Sequence, residues 1–309
     1  MKPIVADELT GILDLLSRNV DRLFNLSHTE AIDQRNFKEA HPFPHFVIEN
    51  FLCPDVAEQI KQCVLADSHK FDVVFNDGVQ RNKTISTGAE VPLYLQLLAG
   101  KLASPHMLRY LEKLTGLKNL ISDPYFNTDV GYYHIMGSGG VLGSHVDHSH
   151  HGTLNIPHVL NLVLYISPDW MEEYGGRLLL YDRSGKTPVV GIVPVFNRAV
   201  IFMNNPVAYH GVDPLSNHAR KSRHSLYFAY YCITGSGNHS TKSFPLSYLG
   251  AANEVDDTMI YGTHFLVPFK DLFRRDNRAH LLGRISHLLH MVLPPVLVGF
   301  AKKFWRRNS

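Results

Sequence analysis

The chain has 309 residues, of which 45% are hydrophobic, and a formal net charge of +2. A chain of this size can bury a large core, as one big domain or as a domain with appendages. The nearly balanced charge gives no sign of a basic surface, so we predict no nucleic-acid partner. The sequence contains no run typical of a transmembrane helix, and acidic residues interrupt its start too early for a signal peptide. The three cysteines lack paired or zinc-type spacing, which favours a reducing compartment, and we expect the cytoplasm.

The first forty residues predict a helix. Leucine, isoleucine and valine recur at helical spacing over residues 7–26, in the sequence DELTGILDLLSRNVDRLFNL. We therefore assign residues 1–40 to an N-terminal helical region that packs against the rest of the protein.

Residues 41–126 predict a helical support region that opens with a strand. The sequence HPFPHFVIENFL at 41–52 suggests a short lead-in strand, followed by a helix near 55–64. Two further helical patterns divide at Ser104, and the second is expected to end at Gly116, because glycine commonly terminates helices.

From residue 127 to 235 the pattern changes to short β-strands. Runs rich in valine, isoleucine, leucine, tyrosine and phenylalanine are separated by turn signals such as Gly137–Gly140 and Gly175-Gly176. About eight short strands without helical patterns between them are typical of an antiparallel sandwich or barrel of the jelly-roll type. The predicted fold class is therefore mainly β with flanking helices.

Residues 236–309 predict a C-terminal extension with a helix and a basic tail. The extension begins with the polar sequence GSGNHSTKS and ends with AKKFWRRNS. Its apolar segment beside basic residues could contact a membrane surface, but a helix docked on the protein is the favoured interpretation.

The segment GSHVDHSHHG at 143–152 contains two candidate metal ligands, His145 and Asp147. Both side chains lie on one face if the segment is a strand, because strand side chains alternate. A third candidate, His210, follows the apolar run VIFM and an Asn-Asn-Pro turn. Two histidines and one carboxylate can bind Fe(II) and leave positions open for a chelating cosubstrate and dioxygen. A closed zinc site would need a fourth protein ligand, and no cysteine is suitably spaced.

An open ferrous site needs an electron source, and 2-oxoglutarate would need a fixed cation for its distal carboxylate. Arg223 begins the predicted strand RHSLYFAYY and shares a face with Ser225, so a guanidinium and a hydroxyl could hold one carboxylate together. The strand HVLNLVLYIS is apolar on one face and carries Asn161 and Tyr165 on the other. A buried polar group needs a partner, and a cosubstrate carboxylate would serve Tyr165.

Four fragments in this order and spacing resemble the Fe(II)- and 2-oxoglutarate-dependent oxygenases of the prolyl-4-hydroxylase-like group. They are GSHVD, LNLVLYISPDWMEEYGGRLLLYD, FNRAVIFMNNPVAYHGVDPL and RHSLYFAYY. The resemblance runs from about Phe43 to Tyr231 and is strongest over 131–231. It implies a double-stranded β-helix core. Members of this group often carry arginine before the LNL strand, where this chain has His158.

The resemblance also implies roles for the candidate residues. His145, Asp147 and His210 would hold Fe(II), while Arg223 would bind the C5 carboxylate of 2-oxoglutarate with the help of Tyr165. Further candidates for cosubstrate binding are Asn161, Ser225, Tyr133 and His134.

The implied reaction converts 2-oxoglutarate to succinate and CO2 and hydroxylates a substrate C–H bond, with Fe(II), O2 and, as a further candidate cofactor, ascorbate. Asp147 favours hydroxylation, because related halogenases have no carboxylate at that position. A prolyl residue and a small metabolite both stay open as substrates, and so does the oligomeric state. The roles of His148, His150 and His151 stay open too. The alternative function is a non-catalytic metal-binding module of the same fold.

Overall fold

The computed structural model describes residues 30–66, 73–75, 79–86, 91–123, 132–151, 154, 156–232 and 247–248, together with 10, 11, 14, 17, 18 and 22–26. Within these ranges the strands form a curled antiparallel sheet, and the α-helices precede most of it in the chain. The predicted class, mainly β with flanking helices, is confirmed. In the same ranges, no helix combines the length and the apolar character needed to cross a membrane. Apart from 247–248, the predicted C-terminal extension lies outside the described residues.

The helices agree with the predicted pattern in the support region. In chain order they are α1 (Glu30–Glu39), α2 (Pro54–Ala66), α3 (Leu93–Leu102) and α4 (Pro105–Thr115), with a 3-10 turn at Glu172–Tyr174. The hydroxyl of Ser104 accepts a hydrogen bond from the backbone of Met107 and caps α4, and Gly116 ends it with a φ of 77°. The predicted N-terminal helix is helical at its described positions up to residue 17, but Phe24 forms a β-bridge with Leu52.

The described residues contain twelve strands of one sheet. They are β1 (His45–Ile48), β2 (Val73–Phe75), β3 (Gln80–Ser86), β4 (Leu120–Ser122), β5 (Tyr133–Val146), β6 (His158–Tyr165), β7 (Leu178–Tyr181), β8 (Pro188–Ile192), β9 (Ala199–Met203), β10 (His210–Val212), β11 (Arg223–Cys232) and β12 (Ser247–Tyr248). The main order is β1-β9-β6-β11-β5-β10-β7-β8, while β3 and β12 pair with β5, and β4 pairs with β11. The segment predicted as helical support therefore also adds β2, β3 and β4 to the sheet.

Strand β5 belongs to both walls of the barrel. Its first part, Tyr133–Met136, pairs with β11, and its second part pairs with β10. The glycines at Gly137–Gly140, predicted as a turn, instead bend one continuous strand. Gly139 has a φ of 70°, and a Cβ on Gly140 would lie 2.7 Å from a backbone oxygen, so this bend requires glycine. One wall is β1-β9-β6-β11-β5, the other is β5-β10-β7-β8, and the predicted double-stranded β-helix is confirmed.

The space between the two walls is a hydrophobic core. Val163, Phe202 and Tyr227 of the first wall pack in one cluster with Leu180 and Ile192 of the second. The outer faces of β6, β9 and β11 pack in a second, larger cluster with the helices. Because both faces of β6 are covered, all eight of its positions are buried, which explains its nearly continuous apolar sequence.

Asn197 ties the N-terminal segment to the barrel. Its side chain is 6% exposed, donates from Nδ2 to the carbonyl of Leu52 at 3.0 Å, and accepts from the backbone N–H of Leu52 at 2.6 Å. Its φ of 65° lies in the left-handed region. Removal of this amide would leave two buried backbone groups without their partner.

We expect Asn197→Ala to lower the free energy of unfolding by about 2–4 kcal/mol, from the lost bonds and the strain of alanine at positive φ. Asn197→Gly loses the same bonds without the strain, so it should lower the free energy of unfolding by less than Asn197→Ala does. Asn119→Ala is the control, because Asn119 is exposed and has a similar φ of 56°. Asn119→Ala should lower the free energy of unfolding by only about 1 kcal/mol. Urea denaturation measures all three, and equal losses for the two alanine variants would contradict the expectation.

Candidate metal centre

The structure brings His145, Asp147 and His210 together between the two walls of the barrel. His145 lies near the end of β5, Asp147 follows that strand directly, and His210 begins β10. The register of β10 against β5 pairs His210 with His145. One ligand atom from each residue lies within 4.8 Å of the other two, and the imidazole centroids are 4.2 Å apart. This arrangement can hold one metal ion.

Backbone carbonyls orient both imidazoles. Nδ1 of His145 donates to the carbonyl of Gly143 at 2.9 Å, and Nδ1 of His210 donates to that of Ala208 at 3.1 Å. A carbonyl only accepts, so Nδ1 carries the proton, and the lone pair of each ring is on Nε2. These Nε2 atoms face Asp147, at 3.5 Å from Oδ1 for His145 and 3.5 Å from Oδ2 for His210.

Buried hydrogen bonds hold the carboxylate of Asp147 in place. Nδ2 of Asn161 donates to Oδ2 at 2.9 Å, and the hydroxyl of Tyr227 lies 3.3 Å from the same oxygen. The same hydroxyl also lies 2.8 Å from Oδ1 of Asn161, and Nε2 of His158 contacts that oxygen at 2.8 Å as well. The carboxylate plane is therefore set by side chains from β6 and β11.

Burial and neighbouring charge shift the pKa values of Asp147 and His210. Burial alone would raise the pKa of Asp147, but His210 and His145 outweigh it, and the pKa lies well below its ordinary value. Burial lowers the pKa of His210 to about 4, and His145 adds to the effect. Metal binding requires an ionised carboxylate and a neutral imidazole, and these are the forms that the two shifts favour.

A second polar group lies at the start of β11. The guanidinium of Arg223, which is only 4% exposed, donates from Nε to the carbonyl of Gly176 at 2.9 Å and from Nη1 to the hydroxyl of Ser225 at 3.3 Å. Its central carbon lies 4.9 Å from the ring centroid of Tyr165. The buried hydroxyl of Tyr165 interacts with this guanidinium, but it makes no hydrogen bond of good geometry among the described residues. A carboxylate bound here would satisfy that phenol and the guanidinium together, so the residues fit 2-oxoglutarate.

One pocket connects the two polar groups. Arg223, Ser225 and the three candidate metal ligands all line it. Other lining residues are Lys83, His134, Met136, Val163, Phe202 and Tyr227. Much of this wall is apolar, which excludes water and strengthens the electrostatic interactions inside.

Two candidates for cosubstrate binding, Tyr133 and Asn161, do not line the pocket. Tyr133 faces the opposite side of β5 from His134, packs in the core beside the helices, and contacts Nδ1 of His224 through its hydroxyl at 2.8 Å. Since strand side chains alternate, only one of the two neighbours can face the pocket, and it is His134. The amide of Asn161 is directed to Asp147, where Nδ2 donates to the carboxylate.

Three residues at the site were not among the candidates. Tyr227 lies two positions after Ser225 and four after Arg223 on β11, so the alternation of strand side chains predicts that it shares their face. His158 contacts the amide of Asn161, and no simple pattern predicts this partner. Lys83 belongs to β3, in the segment predicted as helical support, so nothing in the sequence placed it near the pocket.

The loop histidines do not line the pocket. The carbonyl of His148 accepts a hydrogen bond from Nδ1 of His158. His150 forms a β-bridge with Pro157, and Nε2 of His151 lies 3.4 Å from a carboxylate oxygen of Asp123. Their contacts stabilise the loop that follows Asp147.

Comparison with known proteins identifies a family for the strand-rich segment. Residues 131–231 match the family model of the 2OG-Fe(II) oxygenase superfamily. This segment contains both polar groups of the pocket, from His145 to Arg223. None of the curated proteins compared with this chain matches it.

Several solved structures are similar to the chain. A prolyl-4-hydroxylase from Pseudomonas putida is 14% identical, with a TM-score of 0.46 over 66% of this chain and 99% of that one. A prolyl hydroxylase from Trichoplax adhaerens, in complex with a peptide fragment of the hypoxia inducible factor oxygen degradation domain, is 15% identical, with a TM-score of 0.45 over 67% and 94%. HygX from Streptomyces hygroscopicus, with nickel and 2-oxoglutarate bound, is 12% identical, with a TM-score of 0.39 over 62% and 83%.

The metal-depleted protein should lose stability as the pH falls from about 6.5 to 4. Burial lowers the pKa of His224 to about 4, below the ordinary value of about 6.5, so the unfolded chain takes up a proton first. Stability present above pH 6.5 is then lost on acidification, by up to about 3 kcal/mol for such a histidine. His224→Asn should make the free energy of unfolding depend less steeply on pH. His218→Asn, at an exposed position, is the control and should keep the slope of the wild type. Urea titrations at several pH values measure this, and equal slopes for the wild type and His224→Asn would refute it.

Proposed function

We propose, from the premise that the chain belongs to the 2OG-Fe(II) oxygenase superfamily through residues 131–231, that it hydroxylates a C–H bond of its substrate. The chain is a 2-oxoglutarate-dependent dioxygenase, and the proposed reaction releases succinate and CO2. The observation that carries the proposal is the convergence of His145, Asp147 and His210 in the same pocket as Arg223.

The two imidazole Nε2 atoms and the carboxylate of Asp147 would hold Fe(II). Three ligands on one face leave adjacent coordination positions for a chelating cosubstrate and for dioxygen. Bound Fe(II), with 2-oxoglutarate as the electron source, supplies the activation of dioxygen. Asn161 and Tyr227 contribute by orientation, because their hydrogen bonds fix the carboxylate plane before the metal arrives.

Arg223, with Ser225 and Tyr165, would bind the C5 carboxylate of 2-oxoglutarate. The guanidinium is fixed by Gly176 and Ser225, so little side-chain freedom remains to be lost when the carboxylate binds. The phenol of Tyr165, which makes no hydrogen bond of good geometry to the protein, would donate to the same carboxylate. A buried cation discriminates strongly for a dianionic cosubstrate over a neutral ketone.

The substrate would be a small molecule or a peptidyl group, with a prolyl residue as one candidate. His134 and Met136 of β5 line the pocket beside Arg223 and would face this substrate. The cytoplasmic location and the division into four regions, at residues 40, 126 and 235, stay predictions of the sequence.

Purified protein with Fe(II) and 2-oxoglutarate should form succinate slowly even without its substrate. Asp147→Ala and His210→Ala should lower this rate at least about 100-fold, because each removes a direct metal ligand. His218→Ala, at an exposed position, is the matched control and should retain the rate. The proposed dioxygenase activity would be refuted if the wild type formed no succinate and also bound no 2-oxoglutarate in calorimetry. Metal binding without turnover would support the alternative, a non-catalytic metal-binding module.

Arg223→Gln should weaken 2-oxoglutarate binding about 30- to 1,000-fold, because charge-assisted bonds in a buried site are lost. Tyr165→Phe should weaken it about five- to tenfold, since it removes one neutral donor. Arg220→Gln changes an exposed arginine nearby and should have no effect. Calorimetry on the Mn(II)-loaded protein measures the three dissociation constants. Equal constants for Arg223→Gln and Arg220→Gln would show that the carboxylate binds elsewhere.

A further inference from the structure

We propose that Asn204 is a positioning residue of the metal centre, which sets the position of Asp147 relative to His210. The inference rests on the proposed function, in which these two residues hold Fe(II) together with His145. Asn204 is the first residue of the Asn-Asn-Pro turn between β9 and β10, and it does not line the pocket. It would therefore act through the backbone that carries the ligands, and not by contact with the metal or the substrate.

The chain segments beside Asp147 and His210 are loops. Asp147 follows β5 directly and begins the loop that leads to β6, while residues 204–209 form the loop that leads from β9 to His210. The regular hydrogen bonds of the sheet end at the boundaries of these loops, so the backbone groups inside them need other partners. Contacts between the two loops therefore influence how the carboxylate lies against the imidazole.

The side chain of Asn204 connects these two loops. Its Nδ2 donates to the carbonyl of His148, one residue after the carboxylate ligand, at 2.8 Å, and to the carbonyl of His158 at 3.2 Å. The backbone N–H of Asn204 donates to the carbonyl of Val159 at 2.9 Å. One residue thus anchors the loop between β9 and β10 both to the start of β6 and to the loop that follows β5.

An amide suits the position of Asn204 because it meets two acceptors. Both carbonyls only accept, and Nδ2 carries two protons, so a single nitrogen can donate to both. The side chain is 6% exposed, and a side chain without donors would leave these carbonyls with fewer partners. The carbonyl of His148 would keep its bond from Nδ1 of His158, so the loop would be loosened rather than released.

A compact turn connects Asn204 with the imidazole of His210. Oδ1 of Asn205 accepts from the backbone N–H of Val207 at 2.9 Å, and the carbonyl of Asn205 accepts from the N–H of Ala208 at 3.1 Å. The carbonyl of Ala208 in turn accepts from Nδ1 of His210. Displacement of Asn204 would therefore move the support of one ligand relative to the other. A metal ion needs all its ligand atoms in place at the same time, so this loss of order should weaken binding.

The test measures metal binding by the full-length protein, so its readout does not depend on turnover. Mn(II) is titrated by calorimetry, and the absorption spectrum of the Co(II)-loaded protein reports the geometry of the ligands. Asn204→Ala removes the donors, and Asn204→Leu removes them at a similar side-chain size, so one variant serves if the other does not fold. Asn197→Ala is the matched control, because Asn197 precedes β9 where Asn204 follows it, is equally buried at 6% exposure, and also donates to a backbone carbonyl. Urea denaturation of the metal-free proteins shows which variants fold.

We expect both Asn204 variants to weaken Mn(II) binding about 10- to 100-fold, as is usual for a residue that orients a metal ligand. Their Co(II) spectra should differ from that of the wild type in the position or the intensity of the bands. Asn197→Ala should keep the dissociation constant and the spectrum of the wild type, although its free energy of unfolding falls.

A wild-type Mn(II) affinity and an unchanged Co(II) spectrum in a folded Asn204 variant would overturn the inference. An equal loss of affinity in Asn197→Ala would also overturn it, because metal binding would then follow stability alone. Failure of both Asn204 variants to fold would overturn it too, since Asn204 would then serve the fold as a whole. If the wild type binds neither Mn(II) nor Co(II), the proposed function and the inference fail together. If the wild type binds metal and the Asn204 variants bind it equally well, only the inference fails.

Discussion

The pairing of β10 with the second part of β5 is the constraint on which the site depends. It places His210 opposite His145 and brings together ligands that are 65 positions apart in the chain. The bend at Gly137–Gly140 makes this pairing possible, because it takes β5 from β11 in one wall to β10 in the other. A slip of one residue in this register would turn an imidazole to the other face of the sheet. The candidate metal centre is therefore a consequence of how the barrel closes.

The pocket is built from polar groups that a purely structural core would not contain. Buried Arg223 and the phenol of Tyr165 lie inside a barrel whose other inward residues are mostly apolar, and their burial costs stability that bonds to a ligand would offset. By contrast, the carboxylate of Asp147 has its protein partners, Asn161 and Tyr227. The proposed metal centre is thus pre-organised by the protein, whereas the proposed carboxylate site would be completed by a bound diacid.

Much of the site could be predicted from the sequence because the relevant patterns are local. The alternation of strand side chains puts His145 with Asp147 and Arg223 with Ser225, and the structure has both pairs facing the pocket. Tyr165 was placed with Asn161 on the polar face of β6 by the same reasoning. The limit of this reasoning has a physical cause as well. Alternation shows which residues share a face, but not which face is turned inward, so Tyr133 and His134 could not be told apart.

The sequence by itself determined the helices from residue 54 to 115, most strands after residue 132, and the residue types of the candidate metal centre, since these follow from near neighbours in the chain. Only the tertiary structure decided how β5 passes between the walls and which partner Asn161 serves. It alone decided that the side chain of Asn204 reaches the loop that follows Asp147. These features depend on the register between strands that are distant in sequence, and on carbonyls such as that of His148. No periodicity within one strand contains that information.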